Sequence, residues 1–400
     1  MDRELSTAPG VTANISGPAP QASILANPVS LSVTKALSSQ STPAMESEGL
    51  PRQARRGHGR VTLQQVAQAA GVTAITVSRY LREPAVVALA TGARIQQALS
   101  ATGYVANKQA GLLASGVGNV VAALLPNLAN SIFAETAQGL SDSLQSAGFE
   151  LLIASTGYSV DREEQQLRAL LGWRPAALVL TGRRHAAGAL KLLAQAKAAG
   201  TPVIEIWDHH PAEGGRGQPR FTQIGFNHEE VGRAMAEHLL RAGHRHLAYI
   251  DSGVAEDYRA HERGLAFVHC VQQADAHAQV VVAPAGDAFD AGRQVLGDLV
   301  RAGPPRLTAA AFANDHLACG ALLEACRRGV KVPHDMALLG FGDFAIARQL
   351  SPALSSVKLP RHAIGVETAR SLLEALRLGK PAKPMSLPWQ LVARGSTGGV

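Results

Sequence analysis

Short apolar runs alternate with longer amphipathic stretches along most of the chain from Val117 onward. The runs are VVAALLP (120–126), FELLIAS (149–155), ALVLTG (177–182), PVIEIWD (202–208), FTQIGF (221–226), HLAYID (246–251), VVVAPA (280–285), TAAAFAND (308–315) and MALLGFG (336–342). They are continuously apolar, which predicts strands whose two sheet faces are both covered by helices. Strand–helix alternation of this kind predicts parallel βαβ units in doubly wound sheets. Nine strands exceed one comfortable core, so we expect two α/β lobes within residues 115–400.

The segment before these strands has a helical pattern instead. Leu63, Val66, Ala67 and Ala70 lie at i, i+3, i+4 and i+7, which predicts one apolar helix face. Gly71 follows, where a helix can end in the left-handed conformation.

A second helix is predicted to begin at Ala74, with Thr73 as its N-cap and Val77 and Leu81 buried. Positions 67, 71 and 77 hold a small residue, a glycine and an apolar residue. A helix-turn-helix needs this spacing: the small residue lies where the helices cross, the glycine forms the turn, and the apolar residue packs the second helix against the first. An ordinary helical hairpin is the alternative interpretation of the same pattern.

The outward edge of the second helix has side chains suited to DNA. Thr73, Thr76 and Ser78 can bond phosphates, and Arg79 can contact guanine or phosphate. A third helix is predicted from about Ala90 to Thr102, closing on Gly103.

The positive charge is concentrated in the same segment. Residues 51–114 hold eight Arg or Lys and one acid, Glu83, a balance of +7, whereas residues 1–50 sum to −2 and 115–400 to +2. A compact basic module on a near-neutral body favours a polyanionic partner. A merely solubilising surface is the alternative that charge alone leaves open.

The remaining features predict a cytoplasmic protein, and binding to DNA would associate it with the nucleoid. Residues 1–59 comprise a Ser-, Ala- and Pro-rich stretch expected to be disordered and a basic arm, and they have no export signal. The uncharged run 109–134 contains too many Gly, Asn and Pro residues for a membrane span, so no membrane association is expected. Three cysteines do not suffice for a disulfide scaffold.

Two sets of motifs resemble the lactose-repressor (LacI) family of bacterial transcription regulators. The first is the run LQQVAQAAGVTAITVSRYL (63–81), followed by Val87, Thr91, Ile95 and Gly103-Tyr104. The second comprises PVIEIWD, GHRHLAYI, FANDHLACGAL, GVKVPHDMALLGFGD and LSPALSSVKLP, which resemble the family's regulatory core. The resemblance implies a helix-turn-helix domain with a hinge helix (60–114). It also implies a two-lobed core like periplasmic sugar-binding proteins (115–400).

Carried over residue by residue, the resemblance implies a DNA interface and a homodimer on a near-palindromic double-stranded operator. Leu113 matches the leucine of the family's hinge helix, which inserts into the minor groove of the operator. Spacing alone equally allows Leu113 to pack within a linker. Departures are Ala106 for a usual proline, Arg82 for an asparagine and Gly92 for an arginine. The residues expected to line the interface are Leu63, Thr73, Ala74, Ile75, Thr76, Ser78, Arg79, Arg82, Asn107, Ala110 and Leu113.

Ligands of open parallel sheets bind at the carboxyl ends of strands, which here have clustered polar residues. The resemblance places an effector cleft at these same ends. The expected effector residues are Asn130, Ser131, Phe133, Asp208, Arg259, His261, Arg263, Asn314, Asp315, Phe341 and Asp343.

The cleft differs from the family pattern in its charge. His261 stands where the family has an arginine, with Arg259 and Arg263 beside it, and Gly342 takes the place of an aspartate. Loss of a carboxylate beside retained basic groups favours an anionic effector. Because the sequence also resembles gluconate-utilisation repressors of this family, we expect a sugar acid such as gluconate. The alternative is that Asp343 turns into the cleft and binds a neutral sugar.

Two other classes of function are alternatives to a DNA-binding regulator. The chain has no complete dinucleotide fingerprint, no GxxxxGK[ST] and no GxSxG, so neither an enzyme nor a cofactor is expected. A sugar-binding protein of a transport system would explain two lobes but would leave residues 60–114 without a role.

Overall fold

The computed structural model describes residues 61–105, 118–128, 131–210, 219–302 and 306–398. The chain forms two compact units, Met1–Val105 and Ala106–Val400. We call residues 61–105 the headpiece and the described residues from 118 onward the core. Each is described by itself.

The headpiece consists of three helices whose ends the sequence encodes locally. Helix α1 (Leu63–Ala70) begins at a capping box in which Thr62 and Gln65 bond reciprocally. It ends at Gly71, whose φ of 63° is left-handed, as predicted. Helix α2 (Ala74–Arg82) follows with Thr73 as its N-cap, also as predicted. A 3₁₀ turn (Pro84–Val86) leads to α3 (Leu89–Thr102), which closes on Gly103.

The buried centre of the headpiece is small and is formed by Val66, Ala67, Ala70, Val77, Ile95 and Ala98. The prediction that Leu81 is buried was wrong, since its side chain is 37% exposed. Tyr80 takes the inward position instead. Its ring packs over Gly92, where an added Cβ would lie 3.0 Å from Cε2, and its hydroxyl donates to Gln96. A side chain at position 92 would therefore displace that ring.

The core has two lobes, each built on a six-stranded sheet, which confirms the predicted fold class. The first sheet has the order β11-β5-β4-β3-β1-β2 and the second β12-β10-β9-β8-β6-β7. Their strands are β1 (Val120–Leu125), β2 (Glu150–Ser155), β3 (Ala177–Thr181), β4 (Val203–Ile206), β5 (Thr222–Gly225), β6 (His246–Asp251), β7 (His277–Val282), β8 (Ala309–Phe312), β9 (Ala337–Gly342), β10 (Ser355–Lys358), β11 (Met385–Ser386) and β12 (Gln390–Val392).

Two details of the strands differ from the sequence prediction. Of the run 280–285, only residues 280–282 are in a strand, β7, which begins at His277. Strand β7 lies at the edge of its sheet and pairs with β6, so it includes polar residues. The three short strands β10, β11 and β12 were missed; β12 pairs antiparallel with β10, and all other pairings are parallel.

Helices cover the sheets of both lobes. They are α4 (Ser131–Ser146), α5 (Val160–Gly172), α6 (Ala187–Ala198), α7 (His228–Arg241), α8 (Tyr258–Gln273), α9 (Ala288–Arg301), α10 (Asp315–Arg328) and α11 (Arg361–Leu378). Helix α11 returns to the first lobe and packs on α4, where Gly139 and Gly365 allow the two backbones to approach closely. The chain thus passes between the lobes three times: after β5, after β10 and after β11. These crossings bring the carboxyl ends of both sheets to one cleft.

None of the helices in the described ranges has the length and apolar character needed to cross a membrane.

Candidate functional site

The exposed edge of α2 is the candidate DNA-reading surface. Thr73 accepts from the Thr76 amide at 3.2 Å, which uses its hydroxyl to start the helix. The Ile75 side chain is 75% exposed, and Arg79 is also exposed. Thr76 and Ser78 are half-buried on the same edge. Five of these side chains therefore lie together near the N-terminal half of α2.

Two residues expected in the interface also serve the headpiece interior. Leu63 and Ala74 are half-buried and pack against its apolar centre. Their positions allow a DNA contact only through the part of each side chain that remains exposed.

No carboxylate of a described residue pairs with the arginines of the headpiece. Arg79, Arg82 and Arg94 are exposed, and none of them forms an ion pair with a residue in 61–105. Glu83 is the single acid in that range. Because they are unpaired, these guanidinium groups are available to phosphates, which bind Arg and Lys.

Several expected residues lie outside the described part of the chain: Asn107, Ala110 and Leu113 of the hinge, and Asn130 of the cleft. Ser131 is described only as the first residue of α4.

A small cavity lies between the two lobes of the core. Five of the expected effector residues line it: Phe133, Arg259, Arg263, Asn314 and Phe341. The others in its wall are Ile132, Tyr158, Trp207, His228, Asp257 and Ala313. Residues from both lobes thus meet around one partly open space.

Arg263 is the most firmly held cation of this wall and is only 3% exposed. Its guanidinium carbon lies 3.8 Å from the centre of the Phe341 ring. Nη2 donates to the Ala313 carbonyl at 3.0 Å, and Nη1 donates to His228 Nδ1 at 3.0 Å. Nε is buried without a partner.

His228 is a neutral imidazole in this arrangement. Its Nε2 lies 2.9 Å from the Trp207 carbonyl oxygen. Since a guanidinium only donates, Nδ1 accepts from Arg263 and Nε2–H donates to the carbonyl. Burial, together with the charges of Arg263 and Arg259, holds the pKa of His228 well below its ordinary value.

Trp207 directly follows β4 in a left-handed backbone conformation with φ of 73°. Its ring packs edge-on against Phe133 and Phe226, with centroid separations of 5.1 and 5.9 Å. Nε1 is a second buried donor without a partner. Trp207 Nε1 and Arg263 Nε are therefore both buried beneath the surface of the cavity, and neither has a hydrogen-bond partner among the described residues.

Asp208 lies behind the cavity wall in a polar network that joins the lobes. It accepts from the Tyr258 hydroxyl at 2.6 Å and lies 3.8 Å from Arg259 Nη1. Burial raises its pKa, while Arg259 and Tyr258 act in the opposite direction. The charge of Arg259 is thus balanced by a neighbouring carboxylate.

The same network contains a second bridge between the lobes. Glu262 of α8, in the second lobe, accepts from Arg183 at 2.8 Å and from Arg184 at 2.6 Å. Both arginines follow β3 of the first lobe. Gly182 comes just before these arginines. A Cβ added at this position would lie only 2.7 Å from the Tyr258 hydroxyl oxygen. The absence of a side chain at Gly182 lets α8 seat against the first lobe.

Four of the described residues expected to bind the effector do not line the cavity: Asp208, which lies behind its wall, and His261, Asp343 and Asp315. His261 is 62% exposed at its side chain, and its Nδ1 lies 3.9 Å from Asp251. Asp343 is held by Arg394 at 2.6 Å, so it is not turned into the cleft. Asp315 is buried at the start of α10, where it accepts from Ser356 and from the Phe344 amide; burial raises its pKa to about 6.

Four polar or aromatic residues of the wall were missed by sequence reasoning: Tyr158, Trp207, His228 and Asp257. The rule of strand carboxyl ends does apply to Trp207 and Tyr158, which come one and three residues after β4 and β2. His228 and Asp257 lie at or just before a helix start, and nothing in the strand pattern identifies them.

A buried ionic cluster lies in the first lobe beside Arg183 and Arg184. His185 Nδ1 contacts Glu163, and its Nε2 lies 3.3 Å from Glu205. Gln223 donates to the other oxygen of Glu205 at 2.8 Å. Burial opposes protonation of His185, but the hydrogen bonds to Glu163 and Glu205 outweigh it and raise the pKa to about 9.

Two family models match the chain. Residues 62–107 match the model for bacterial regulatory proteins of the lacI family, and residues 236–397 match a periplasmic binding protein-like domain.

Relatives match over nearly their full length. The HTH-type transcriptional regulator GntR of Pseudomonas aeruginosa is 39% identical over 346 residues, which are 86% of this chain and 97% of that protein. The regulator of the same name in Escherichia coli K12 is 32% identical over 82% of this chain and 95% of its own length. The solved structure of a LacI-family transcriptional regulator from Silicibacter pomeroyi has a TM-score of 0.76 at 30% identity, covering 84% of this chain and 99% of that chain.

Proposed function

The chain belongs to the LacI family of bacterial regulatory proteins, and we propose that it is a transcriptional repressor controlled by a small sugar-type effector. It binds a specific double-stranded operator through the headpiece and senses the effector in the cavity of the core. We assign it no catalytic role and place it in the cytoplasm with the nucleoid. The observation that carries the proposal is the exposed edge of α2 with its arginines, in one chain with a cavity lined by polar and aromatic residues of both lobes.

Recognition of DNA follows from the chemistry of that edge. Arg79 can pair with the acceptors of guanine, while the apolar Ile75 can contact a thymine methyl group. Exposed arginines without carboxylate partners contribute sequence-independent affinity through phosphates. We propose that a homodimer places two such helices in successive major grooves, with the hinge segment containing Asn107, Ala110 and Leu113 between them.

The effector we propose is a sugar acid, with gluconate as the first candidate. The basic groups in the cavity wall and the position of Asp343, held outside it by Arg394, support an anionic ligand. Two relatives that carry the name GntR are consistent with this choice.

Control of DNA binding requires the effector to favour one arrangement of the lobes. Because the cavity wall comes from both sheets, a bound ligand interacts with both lobes at once. A differential affinity of about 1–3 kcal/mol between two lobe arrangements suffices for allosteric control.

Selection of genomic DNA fragments by the full-length protein, followed by footprinting with and without gluconate, tests the proposal. We expect a near-palindromic footprint and an affinity that falls steeply with salt. Arg79→Ala should weaken specific binding by about tenfold to a hundredfold, since a guanine contact contributes about 1–3 kcal/mol. Arg377→Ala, which removes an exposed arginine of the core, is the matched control. Equal binding to all fragments would refute the proposal.

A further inference from the structure

We propose that Glu262 is a positioning residue that clasps the two lobes together and thereby raises the affinity of the core for its effector without touching it. We call the contacts of Tyr258 and Glu262 with the first lobe the clasp. The link from the clasp to effector binding rests on the proposed function, whereas the clasp itself does not.

Helix α8 has two neighbouring faces with different contacts. Tyr258 and Glu262 lie four residues apart, and so do Arg259 and Arg263, so each pair shares one face of the helix. The first pair contacts the first lobe, and the second pair lines the cavity. Because both pairs belong to one rigid helix, the contacts of Tyr258 and Glu262 also fix where the two cavity arginines lie relative to the first lobe.

The hydrogen bonds of the clasp all cross from one lobe to the other. Both carboxylate oxygens of Glu262 accept from Nη2 of Arg183, at 2.8 and 3.0 Å, and one of them also accepts from Arg184 at 2.6 Å. The Tyr258 hydroxyl accepts from the Arg183 amide at 2.7 Å and donates to Asp208 at 2.6 Å. Charge-assisted bonds of this kind are about twice as strong as neutral ones. Since every partner belongs to the chain, the clasp forms without help from a ligand.

The first-lobe side of the clasp is anchored by the buried cluster of His185. This residue directly follows the two arginines, and its ring lies between Glu163 of α5 and Glu205 of β4. At the other end of the segment, the Gly182 amide donates to a carbonyl of β4 at 2.9 Å. Residues 182–185 are thus fixed at both ends, which holds the arginines in place for α8. Preorganisation of this kind reduces the entropy that is lost when a contact forms.

The clasp shifts the equilibrium between parted and joined lobes toward the joined arrangement. The apparent Kd of a ligand that binds only the joined arrangement is its intrinsic Kd divided by the joined fraction. Glu262 keeps that fraction high, although it is not among the residues that line the cavity. The sensitivity of the regulator is therefore set in part outside the cavity.

Hydrogen exchange of the ligand-free full-length protein tests the clasp at a single amide. The Arg183 amide bonds to Tyr258 of the other lobe, so its exchange requires the lobes to part. We expect Glu262→Gln to speed exchange of this amide by about tenfold or more, because the variant loses the charge that two arginines bond to. The amides of β3 and β6, which lie inside the two sheets, should exchange as in the wild type.

Glu324→Gln is the matched control. Glu324 is a buried carboxylate that also accepts from two arginines, Arg327 and Arg328, but all three residues lie on α10 within one lobe. This variant should leave exchange of the Arg183 amide unchanged. If Glu262→Gln fails to fold, as a circular dichroism melt would show, Arg184→Gln still decides. Its side chain is 58% exposed, and its loss removes one bond of the clasp, so exchange should rise by a smaller factor.

Two exchange results would overturn the clasp. One is unchanged exchange of the Arg183 amide in Glu262→Gln. The other is an equal acceleration in β3 and β6, which would mean a general loss of stability instead of parting of the lobes.

Calorimetric titration with gluconate tests the positioning role of Glu262. In Glu262→Gln the affinity should fall by no more than the factor by which exchange rises, because only the parted fraction is lost to binding. A larger fall would mean that Glu262 contacts the ligand, and it would overturn that role. A protein with the expected exchange that binds neither gluconate nor an operator keeps the clasp and loses the proposed function. A protein that binds both but shows unchanged exchange keeps the proposed function and loses the clasp.

Discussion

The headpiece and the core handle charge in opposite ways. In the headpiece, Arg79 and Arg82 are exposed, and no carboxylate in the described part of the chain forms an ion pair with them. In the core, Arg259 and Arg263 are almost completely buried. Arg259 lies 3.8 Å from Asp208 and over the Tyr258 ring, and Arg263 donates to His228 and to the Ala313 carbonyl. Replacing an exposed arginine of the headpiece is expected to change DNA binding with little effect on the free energy of unfolding. The buried charges of the core support the fold and the cavity together, so their replacement affects both.

The largest expected effect concerns a buried carboxylate of the core. Asp208→Ala leaves Arg259 without its neighbour and the Tyr258 hydroxyl without its acceptor. Removing one partner of a buried pair costs about 3–5 kcal/mol. Urea unfolding followed by tryptophan fluorescence measures it, because all three tryptophans lie in the core. Asp298→Ala, which breaks an exposed pair with Arg301, should cost less than about 1 kcal/mol. Equal losses in the two variants would contradict the comparison.

The second prediction uses pH to test the buried cluster of His185. Its pKa of about 9 in the folded state lies above the ordinary 6.5. The stabilisation is therefore complete below pH 6.5 and is lost as the pH rises through 9. A rise from 6.5 to about 9 corresponds to about 3 kcal/mol. The free energy of unfolding of the wild type, minus that of His185→Gln, should decline by this order between pH 6.5 and 9.5. A pH-independent difference would show that His185 is not protonated in the native state.

The smallest expected effect concerns the start of α2. Thr73→Ala removes the hydroxyl that caps the helix and should destabilise the headpiece by about 1 kcal/mol. Hydrogen exchange of headpiece amides in the full-length protein measures this, and operator affinity should fall with it. Thr73→Ser keeps the cap and is the control. A shift of the tryptophan unfolding transition in Thr73→Ala would mean that the two units do not respond separately.

The same contrast explains what the sequence could predict. The N-cap at Thr73 and the left-handed ends at Gly71 and Gly103 depend on a few adjacent residues, so spacing alone predicts α1 to α3. The prediction that Leu81 is buried was wrong because Gly92, eleven residues further along the chain, leaves space for the ring of Tyr80 instead. In the core, continuous apolar runs predict strands, but the short pairings of β10 to β12 depend on distant partners.

The cavity was predictable only in part for a related reason. Residues 259 and 263 are four apart on α8 and share a face, whereas 261 lies between them and is exposed. Helical periodicity therefore favours Arg259 and Arg263 over His261 as cavity residues, although the family resemblance places His261 at the position of the effector-binding arginine. Trp207 and His228 reach the wall through a backbone turn and a helix start set by tertiary packing.

The three passages of the chain between the lobes bear on how such proteins diversify. Neither lobe is one continuous stretch of the gene, since α11 belongs by packing to the lobe built from the earlier strands. Recombination with a paralogue can exchange the headpiece with a single junction, but exchange of one lobe needs a junction at each of the three crossings. New operator preferences can therefore be acquired by shuffling, while new ligand preferences have to arise by point substitution or by transfer of the whole sensor.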